Sequence, residues 1–185
     1  MSTPSCELHT ARLCLRAQTR DEVLAWVETL PPEVRAEVSP AWIARVHASA
    51  EGDPWHCGFV ISLVQNDGQR VVVGQCAFKD QPNAAGDVEI AYGIDEAYQR
   101  RGFATEAAGA LVDFALADAR VRRVIAHTQP EPNASTRVLT KCGFHLEGEV
   151  LDPEDGRVWR WVKDATKSSP AGNEPPGSRA AEKLG

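Results

Sequence analysis

The sequence lacks long hydrophobic runs, and its first residues carry no targeting signal. No apolar stretch approaches the roughly 20 residues that a membrane-spanning helix needs. Residues 1–6 have neither the basic start nor the apolar core of a secretory signal peptide. These absences predict a protein without membrane segments that stays in the cytoplasm.

Cysteines are widely spaced, and positive charge is in deficit. The five cysteines form no Cys-x-x-Cys pair, and their odd number does not suit a disulfide framework. We therefore expect reduced, mostly buried thiols and no metal site. Lys and Arg total 20 against 26 Asp and Glu, so the formal net charge is -6. This balance makes nucleic acid a poor candidate partner.

Length and local pattern predict one domain that begins with a strand and two helices. The chain has 185 residues, of which 43% are hydrophobic, enough for one buried core. Alternation over residues 10–16 predicts the strand. Thr19 and Glu22 form a capping-box pattern before the first helix, and Ser39 with Pro40 suits the start of the second.

Strands and helices alternate in the rest of the chain. The turn Asn66-Asp67-Gly68 predicts a hairpin between strands 58–64 and 70–78. The further predicted elements are a strand over 88–94, a helix over 104–119, a strand over 122–128, a helix over 133–142, and strands over 144–150 and 157–162. This order predicts a single α/β domain over residues 8–163. Residues 164–185 are rich in Ser, Pro, Gly and Ala and are predicted to be a disordered tail.

Residues 99–106 read Gln-Arg-Arg-Gly-Phe-Ala-Thr-Glu and stand between a predicted strand and a predicted helix. A strand that turns through a glycine into a helix aims unpaired backbone N–H groups and the positive helix end at one point. Two arginines next to Gly102 add positive charge. The loop therefore predicts an anion site, most suitably for a phosphate.

Three stretches follow one another along the chain: the opening TARLCLR, then VEIAYGIDEAYQRRGFATEAA, then NASTRVLTKCGF. Their order and spacing resemble the GNAT superfamily of acetyl-CoA-dependent N-acetyltransferases. Together they look most like the RimJ/RimL branch, which acetylates protein N-termini, and they cover roughly residues 8–163. The resemblance implies the GNAT fold, a mixed, mostly antiparallel sheet with a splayed parallel strand pair, flanked by helices.

The resemblance also implies acetyl-CoA as a cosubstrate. Its pyrophosphate would lie on the backbone amides of the loop, where Gly102 lets the backbone come close. Ile94 is the implied main-chain contact of the pantetheine arm. Asn133 is an implied hydrogen-bond partner of that arm, and it also suits a helix N-cap. The implied cofactor-binding residues are Ile94, Gln99, Arg100, Arg101, Gly102, Phe103, Ala104, Thr105 and Asn133.

For the chemistry, the resemblance implies Glu89 as the base that accepts a proton from the amine. The residue alone also fits a solvent-facing strand position or an anchor for a cationic amine. Many relatives use a tyrosine to protonate the leaving thiolate, and Thr140 stands there instead. Ser135 is the implied acid or relay, with an ordinary first-turn serine as the alternative.

Three further predictions concern the surroundings of this chemistry. A backbone amide within residues 91–93 is the implied donor to the oxyanion. His127, Tyr92 and Tyr98 are each more typical of structural residues than of catalytic ones. By resemblance, the two N-terminal helices and the turn 151–157 would form the acceptor side, with the aromatic and acidic residues Trp26, Trp42, Trp55, Glu28, Glu33 and Glu37.

These observations favour an N-acetyltransferase that acts on a protein N-terminal amine or on a small amine by direct attack in a ternary complex. The alternative is a non-catalytic acyl-CoA-binding sensor or regulatory module. A nucleotide-binding or NAD-binding protein is disfavoured because neither a GxxxxGK[ST] nor a GxGxxG stretch is present. A homodimer is a further expectation from the resemblance.

Overall fold

The computed structural model describes residues 6–153 and 155–165. Its strands are β1 (Glu7–His9), β2 (Leu13–Ala17), β3 (Phe59–Val64), β4 (Arg70–Phe78), β5 (Asp87–Ile94), β6 (Arg123–Thr128), β7 (His145–Asp152) and β8 (Gly156–Asp164). Its helices are α1 (Arg20–Thr29), α2 (Pro32–Glu37), α3 (Pro40–Ala48), α4 (Pro54–Cys57), α5 (Phe103–Ala117) and α6 (Ala134–Lys141), with a 3-10 turn at Glu96–Tyr98.

The strands form one eight-stranded sheet in the order β1-β2-β3-β4-β5-β6-β8-β7. Every neighbouring pair is antiparallel except β5 and β6, which are parallel. The mixed, mostly antiparallel sheet with one parallel pair, flanked by helices, is therefore confirmed. The predicted hairpin is confirmed too, because β3 and β4 pair on either side of the turn that contains Gly68.

The two parallel strands separate part-way along their length. β5 pairs with β6 only from Asp87 to Glu89, opposite Arg123 to Ile125. Beyond that point β5 stays paired with β4 as far as Ile94, whereas β6 follows β8. A gap consequently opens between the second halves of β5 and β6.

One close backbone approach holds the end of β5 in place. A methyl group added to Gly74 of β4 would collide with the carbonyl oxygen of Gly93 and would lie 3.0 Å from the Cα of Ile94. Only glycine lets β4 come this near without moving the end of β5.

Helix α5 lies against the sheet and forms the main core with it. Its buried residues are Phe103, Ala107, Ala108, Leu111, Val112 and Ala115, and they pack with the inward-facing residues of β2 to β6. The short side chains of Ala107, Ala108, Val112 and Ala115 let the helix lie close to the sheet. The helix predicted over 104–119 is confirmed with slightly shifted ends, since α5 begins at Phe103 and ends at Ala117.

The N-terminal half contains more elements than the pattern predicts. The capping box of Thr19 and Glu22 starts α1, and Ser39 caps α3, as predicted. Helices α2 and α4 are missed because they begin at Pro32 and Pro54, which resemble helix breaks. Proline is well tolerated at the first helical position, where no N–H partner is lost. The three-residue strand β1 is too short to show a pattern.

Predictions about the cysteines and the chain ends have different outcomes. All five cysteines are free thiols, and three of them are buried. Among the described residues, no helix has the length and apolarity that crossing a bilayer requires. Strand β8 ends at Asp164, and the N–H of Ala165 still donates to the carbonyl oxygen of Arg122 at 2.8 Å. The rest of the predicted tail, residues 166–185, lies outside the described residues, so the domain bounds 8–163 and the disorder stay predictions.

Candidate active site

The turn between β5 and α5 has the geometry of an anion site. Gly102, which precedes α5, has a φ of 83°, and Arg100 has a φ of 62°. No described side chain caps this helix start, so its first N–H groups are available to an outside acceptor. We call residues 99–105 the cradle. It presents backbone donors and the positive end of α5 on one side.

A cavity of about 550 Å³ lies against the cradle. We call it the cofactor cleft. Seven of the predicted cofactor-binding residues line it: Ile94, Gln99, Arg100, Gly102, Phe103, Ala104 and Thr105. The cleft is also lined by Arg137 and Lys141 of α6, which the sequence reading misses. Arg137 and Lys141 are four positions apart, so both cations lie on one face of α6. This spacing could have identified them from the sequence.

Two predicted cofactor-binding residues do not line this cleft. The side chain of Arg101 lies over the ring of Tyr98 at 5.6 Å and donates to the carbonyl oxygen of Ala97 at 3.2 Å. Asn133 caps α6, with Oδ1 accepting from the N–H of Thr136 at 3.0 Å. Its side-chain nitrogen has no hydrogen bond to another described residue. The N-cap interpretation of Asn133 is confirmed, and its contact with a cofactor stays a prediction.

The gap between β5 and β6 exposes backbone groups of β5. Glu89 accepts from the N–H of Lys79 and Asp95 donates to Val73, so odd-numbered residues of β5 point their backbone groups at β4. Backbone groups alternate in direction along a strand, so Tyr92 and Ile94 point theirs into the gap. The carbonyl oxygen of Ile94 accepts from Nε2 of Gln99 at 2.9 Å.

A second cavity, of about 210 Å³, lies at the other side of this gap. We call it the acceptor chamber. Its polar lining includes Lys79, Glu89, His127 and Asp155. Tyr92 and Ser135 line both the chamber and the cofactor cleft. The two cavities therefore meet where β5 leaves β6, and Ser135 stands at their junction.

Glu89 is bound by two cationic or cation-forming side chains. Its Oε1 lies 2.9 Å from Nζ of Lys79 and 3.0 Å from Nδ1 of His127. The Glu89 side chain is 20% exposed and that of His127 is 14% exposed, so solvent screens this contact only in part. Val88 and Ile90 point into the core with α5, which leaves Glu89 on the opposite face of the sheet.

Lys79 is a chamber residue that sequence reasoning misses, whereas Asp155 belongs to the turn 151–157 that the resemblance assigns to the acceptor side. Nζ of Lys79 also lies 3.8 Å from Oδ2 of Asp155. Burial opposes the charge of Lys79, but its hydrogen bond with Glu89 and the charges of Glu89 and Asp155 together raise the pKa of this lysine. Lys79 is therefore an ammonium at neutral pH. Only the pairing of distant segments brings it to Glu89, so no local motif could have identified it.

The hydroxyl groups near the junction differ in their partners. Tyr92 donates its hydroxyl to the carbonyl oxygen of Ser135 at 3.4 Å, and burial raises the pKa of this phenol well above its usual range. The side chains of Tyr92 and Ser135 also share a hydrogen bond, which lowers the Tyr92 pKa without offsetting the effect of burial. Thr140, in contrast, donates its hydroxyl to the carbonyl oxygen of Thr136 at 2.9 Å. The Ser135 hydroxyl thus lies beside the phenol at the junction, and Thr140 is engaged within its own helix.

The family model described as "Acetyltransferase (GNAT) domain" matches residues 3–145. The chain belongs to the GNAT acetyltransferase family. The resemblance inferred from the loop and α6 motifs is therefore confirmed.

Curated relatives of this GNAT chain match parts of it. It is 33% identical over 88 residues to the uncharacterized N-acetyltransferase p20 of Bacillus licheniformis, covering 46% of this chain and 48% of the relative. It is 29% identical over 105 residues to the uncharacterized N-acetyltransferase YjdG of Bacillus subtilis, covering 57% and 60%. The matches thus span 48% and 60% of the length of these two relatives.

Solved structures share the fold at low identity. RimL, described as a ribosomal L7/L12 alpha-N-protein acetyltransferase in complex with coenzyme A, has a TM-score of 0.62 at 18% identity and covers 86% of this chain and 98% of its own. The aminoglycoside acetyltransferase AAC(6')-Ib in complex with coenzyme A and kanamycin has a TM-score of 0.58 at 19% identity, covering 82% and 94%. These likenesses confirm the GNAT fold.

The aromatic and acidic residues predicted for the acceptor side of this GNAT chain line neither cavity. Trp55 lies in the core, with ring centroids 4.6 Å from Phe78 and 5.4 Å from Phe114. Trp42 packs against the small cluster of Val23, Val46 and Cys57. Trp26, Glu28, Glu33 and Glu37 are exposed, and Glu28 pairs with Arg35 at 2.7 Å. The two cavities therefore lend these six residues no support as the acceptor side, and that assignment stays a prediction.

Proposed function

We propose that this GNAT protein is an N-acetyltransferase that transfers acetyl from acetyl-CoA to a primary amine in a ternary complex. The observation that carries the proposal is the meeting of the two cavities at Ser135 and Tyr92. One cavity has phosphate-binding geometry, and the other contains a carboxylate. A thioester delivered from one side can therefore meet an amine from the other.

The cofactor cleft suits two parts of acetyl-CoA, the pyrophosphate and the pantetheine arm. The pyrophosphate would lie on the cradle, at the N-terminal end of α5. The pantetheine arm would follow the gap, hydrogen-bonded to the outward backbone groups of Tyr92 and Ile94 and to the side-chain nitrogen of Asn133. Arg137 and Lys141 add positive charge along the same cleft, which favours a polyanionic ligand. The chemistry needs no metal.

The proposed reaction uses Glu89 as the proton acceptor. The carboxylate takes a proton from the ammonium of the acceptor, and the neutral amine attacks the thioester carbon. The new C–N bond forms, the oxyanion accepts a hydrogen bond from the N–H of Tyr92, and the C–S bond then breaks. The Ser135 hydroxyl gives its proton to the thiolate and takes up the remaining extra proton of the attacking nitrogen, and Glu89 releases its proton to solvent. The products are the acetylated amine and coenzyme A.

The acceptor is proposed only to the level of a primary amine. RimL acts on a protein N-terminus, and AAC(6')-Ib binds kanamycin, so both acceptor classes occur on this fold. The chamber contains carboxylates of Glu89 and Asp155 that suit an ammonium. A peptide N-terminus and a small amine therefore remain the two candidate acceptors. The cytoplasmic location and the homodimer stay predictions.

The test uses the full chain with acetyl-CoA and a panel of acceptors. The panel contains peptide N-termini, polyamines and aminoglycosides, and release of free thiol is followed with a chromogenic reagent. We expect thiol release with at least one class, accompanied by an acetylated product in the mass spectrum. Binding of acetyl-CoA without thiol release above the acceptor-free rate would instead support the sensor. Failure to bind coenzyme A at all would contradict both.

A further inference from the structure

Arg12 joins the strand turn at the start of the chain to the cradle. It lies between β1 and β2, in the TARLCLR segment, for which the proposed reaction has no role. Its Nε and Nη2 lie 2.8 and 2.7 Å from Oε2 of Glu106. Its own N–H donates to Oε1 of the same carboxylate at 2.8 Å. The two residues are 94 positions apart in the chain, so this contact is tertiary.

The guanidinium of Arg12 also contacts the cradle itself. Nη1 donates to the carbonyl oxygen of Arg101 at 3.0 Å, and Cζ lies 4.6 Å from the ring centroid of Phe103. One side chain thus contacts the residues on both sides of Gly102 and the first turn of α5. Such a contact set limits how the backbone of the cradle can turn.

Two physical consequences follow from these contacts. A peptide group is planar and trans, so its C=O and the following N–H point in opposite directions. Because the carbonyl of Arg101 points at Arg12, the N–H of Gly102 points away from it. The left-handed backbone conformation of Arg100 costs a non-glycine residue about 1 kcal/mol. This conformation needs support from its neighbours, and the Arg12 guanidinium holds the peptide between Arg101 and Gly102.

The ion pair also removes an electrostatic conflict. Glu106 lies in the first turn of α5, where its negative charge would repel a phosphate bound at the helix end. Arg12 compensates this charge with paired, charge-assisted hydrogen bonds. Thr10 contributes another donor to Oε1 of Glu106. The anion site is therefore left with the positive charge of the helix end and of Arg100.

We propose that Arg12 is a positioning residue for the cofactor, which orients the cradle and neutralises Glu106 without itself contacting the reacting atoms. The proposal rests on the proposed function, because it assigns the cradle to the pyrophosphate of acetyl-CoA. The TARLCLR motif thereby gains a role in cofactor binding, although it lies far from the cradle in the sequence.

The test compares R12A with R70A, a matched control. Arg70 pairs with Glu7 at 2.8 Å, and its side chain is 45% exposed against 46% for Arg12, but it contacts no residue of the cradle. Binding of coenzyme A to each full-length variant is measured by calorimetry. We expect R12A to weaken binding about tenfold and R70A to leave it unchanged. At saturating acetyl-CoA, kcat of R12A should stay close to wild type while KM for acetyl-CoA rises.

A second variant covers the case in which R12A does not fold. R12K keeps the positive charge but cannot hold Glu106 and the Arg101 carbonyl in one plane. Its affinity for coenzyme A should therefore lie between that of wild type and the tenfold weaker affinity expected for R12A. Wild-type affinity in both Arg12 variants would overturn the proposal, as would an equal loss in R70A. Failure of the wild-type protein to bind coenzyme A would contradict the proposed function instead, so the two failures are distinguishable.

Discussion

Nδ1 of His127 and Nζ of Lys79 converge on the same oxygen atom of Glu89, at 3.0 and 2.9 Å. The other oxygen, Oε2, accepts no hydrogen bond from a described residue. Glu89 is thus held by one oxygen while the second is available to a bound amine. This arrangement combines a fixed orientation with an open acceptor site, as a general base requires.

Replacing Glu89 with Gln should lower turnover and leave cofactor binding intact. The amide has nearly the same shape but cannot accept the proton, so we expect kcat to fall about 10²–10⁴-fold. Calorimetry should give an unchanged Kd for coenzyme A, because Glu89 does not line the cofactor cleft. Full activity of E89Q across the pH range would show that Glu89 is not the base.

Replacing His127 with Ala should reduce kcat by about tenfold, since a hydrogen bond to a charged group contributes roughly 1.5 kcal/mol. His127 is expected to act by orienting Glu89, so the loss should disappear in the E89Q background. Steady-state kinetics of the two single variants and the double variant form the required cycle. Additive losses in that cycle would show that His127 acts independently of Glu89.

Ser135 and Thr140 offer a comparison of two hydroxyl groups on one helix. S135A should lower kcat about tenfold because the thiolate loses its nearest proton donor. T140A should leave kcat unchanged, because its hydroxyl already bonds to Thr136. Both variants are assayed at saturating acetyl-CoA with the acceptor found in the panel. Equal rates for S135A and wild type would leave Ser135 as an ordinary first-turn residue.

Two Gly→Ala changes should have opposite effects on the free energy of unfolding. G74A should lower the free energy of unfolding by about 2–3 kcal/mol, because its methyl group meets backbone atoms of β5 that cannot turn aside. G109A, inside α5, meets no atom within 4 Å and should raise it by roughly 0.5–1 kcal/mol. Chemical denaturation measures both. A destabilised G109A would mean that α5 packs more tightly at this position than the contacts indicate.

Glu106 predicts a pH-dependent part of the stability. Burial alone would raise its pKa, but hydrogen bonds from Thr10 and Arg12 outweigh burial and hold the pKa below 4.5. A lowered pKa in the folded state contributes stability above the unfolded value, and this is lost as pH falls through the folded value. The difference in unfolding free energy between wild type and E106Q should therefore be constant at neutral pH and shrink below about pH 4.5. A difference independent of pH would contradict this assignment.

Much of the fold follows from local patterns. The capping box at Thr19, the hairpin turn at Gly68 and the strand 70–78 are determined by neighbours within a few residues, and the structure confirms them. Helices α2 and α4 escape prediction because proline begins a helix as readily as it ends one. β1 is held by pairing with β2, which no three-residue pattern reveals.

Local sequence patterns likewise predict one part of the candidate site and not the other. The cradle is contiguous in the chain, and its glycine, arginines and following helix predicted an anion site. The GNAT family was predicted from this loop together with the TARLCLR and NASTRVLTKCGF stretches. Lys79, Glu89, His127 and Asp155 come from separate segments, and their meeting depends on β5 pairing with β4 on one side and leaving β6 on the other. Arg12 reaches Glu106 in the same long-range manner. Local order along the chain thus specified a loop with the geometry of an anion site, whereas strand pairing, which is cooperative and long-range, determined which side chains line the acceptor chamber.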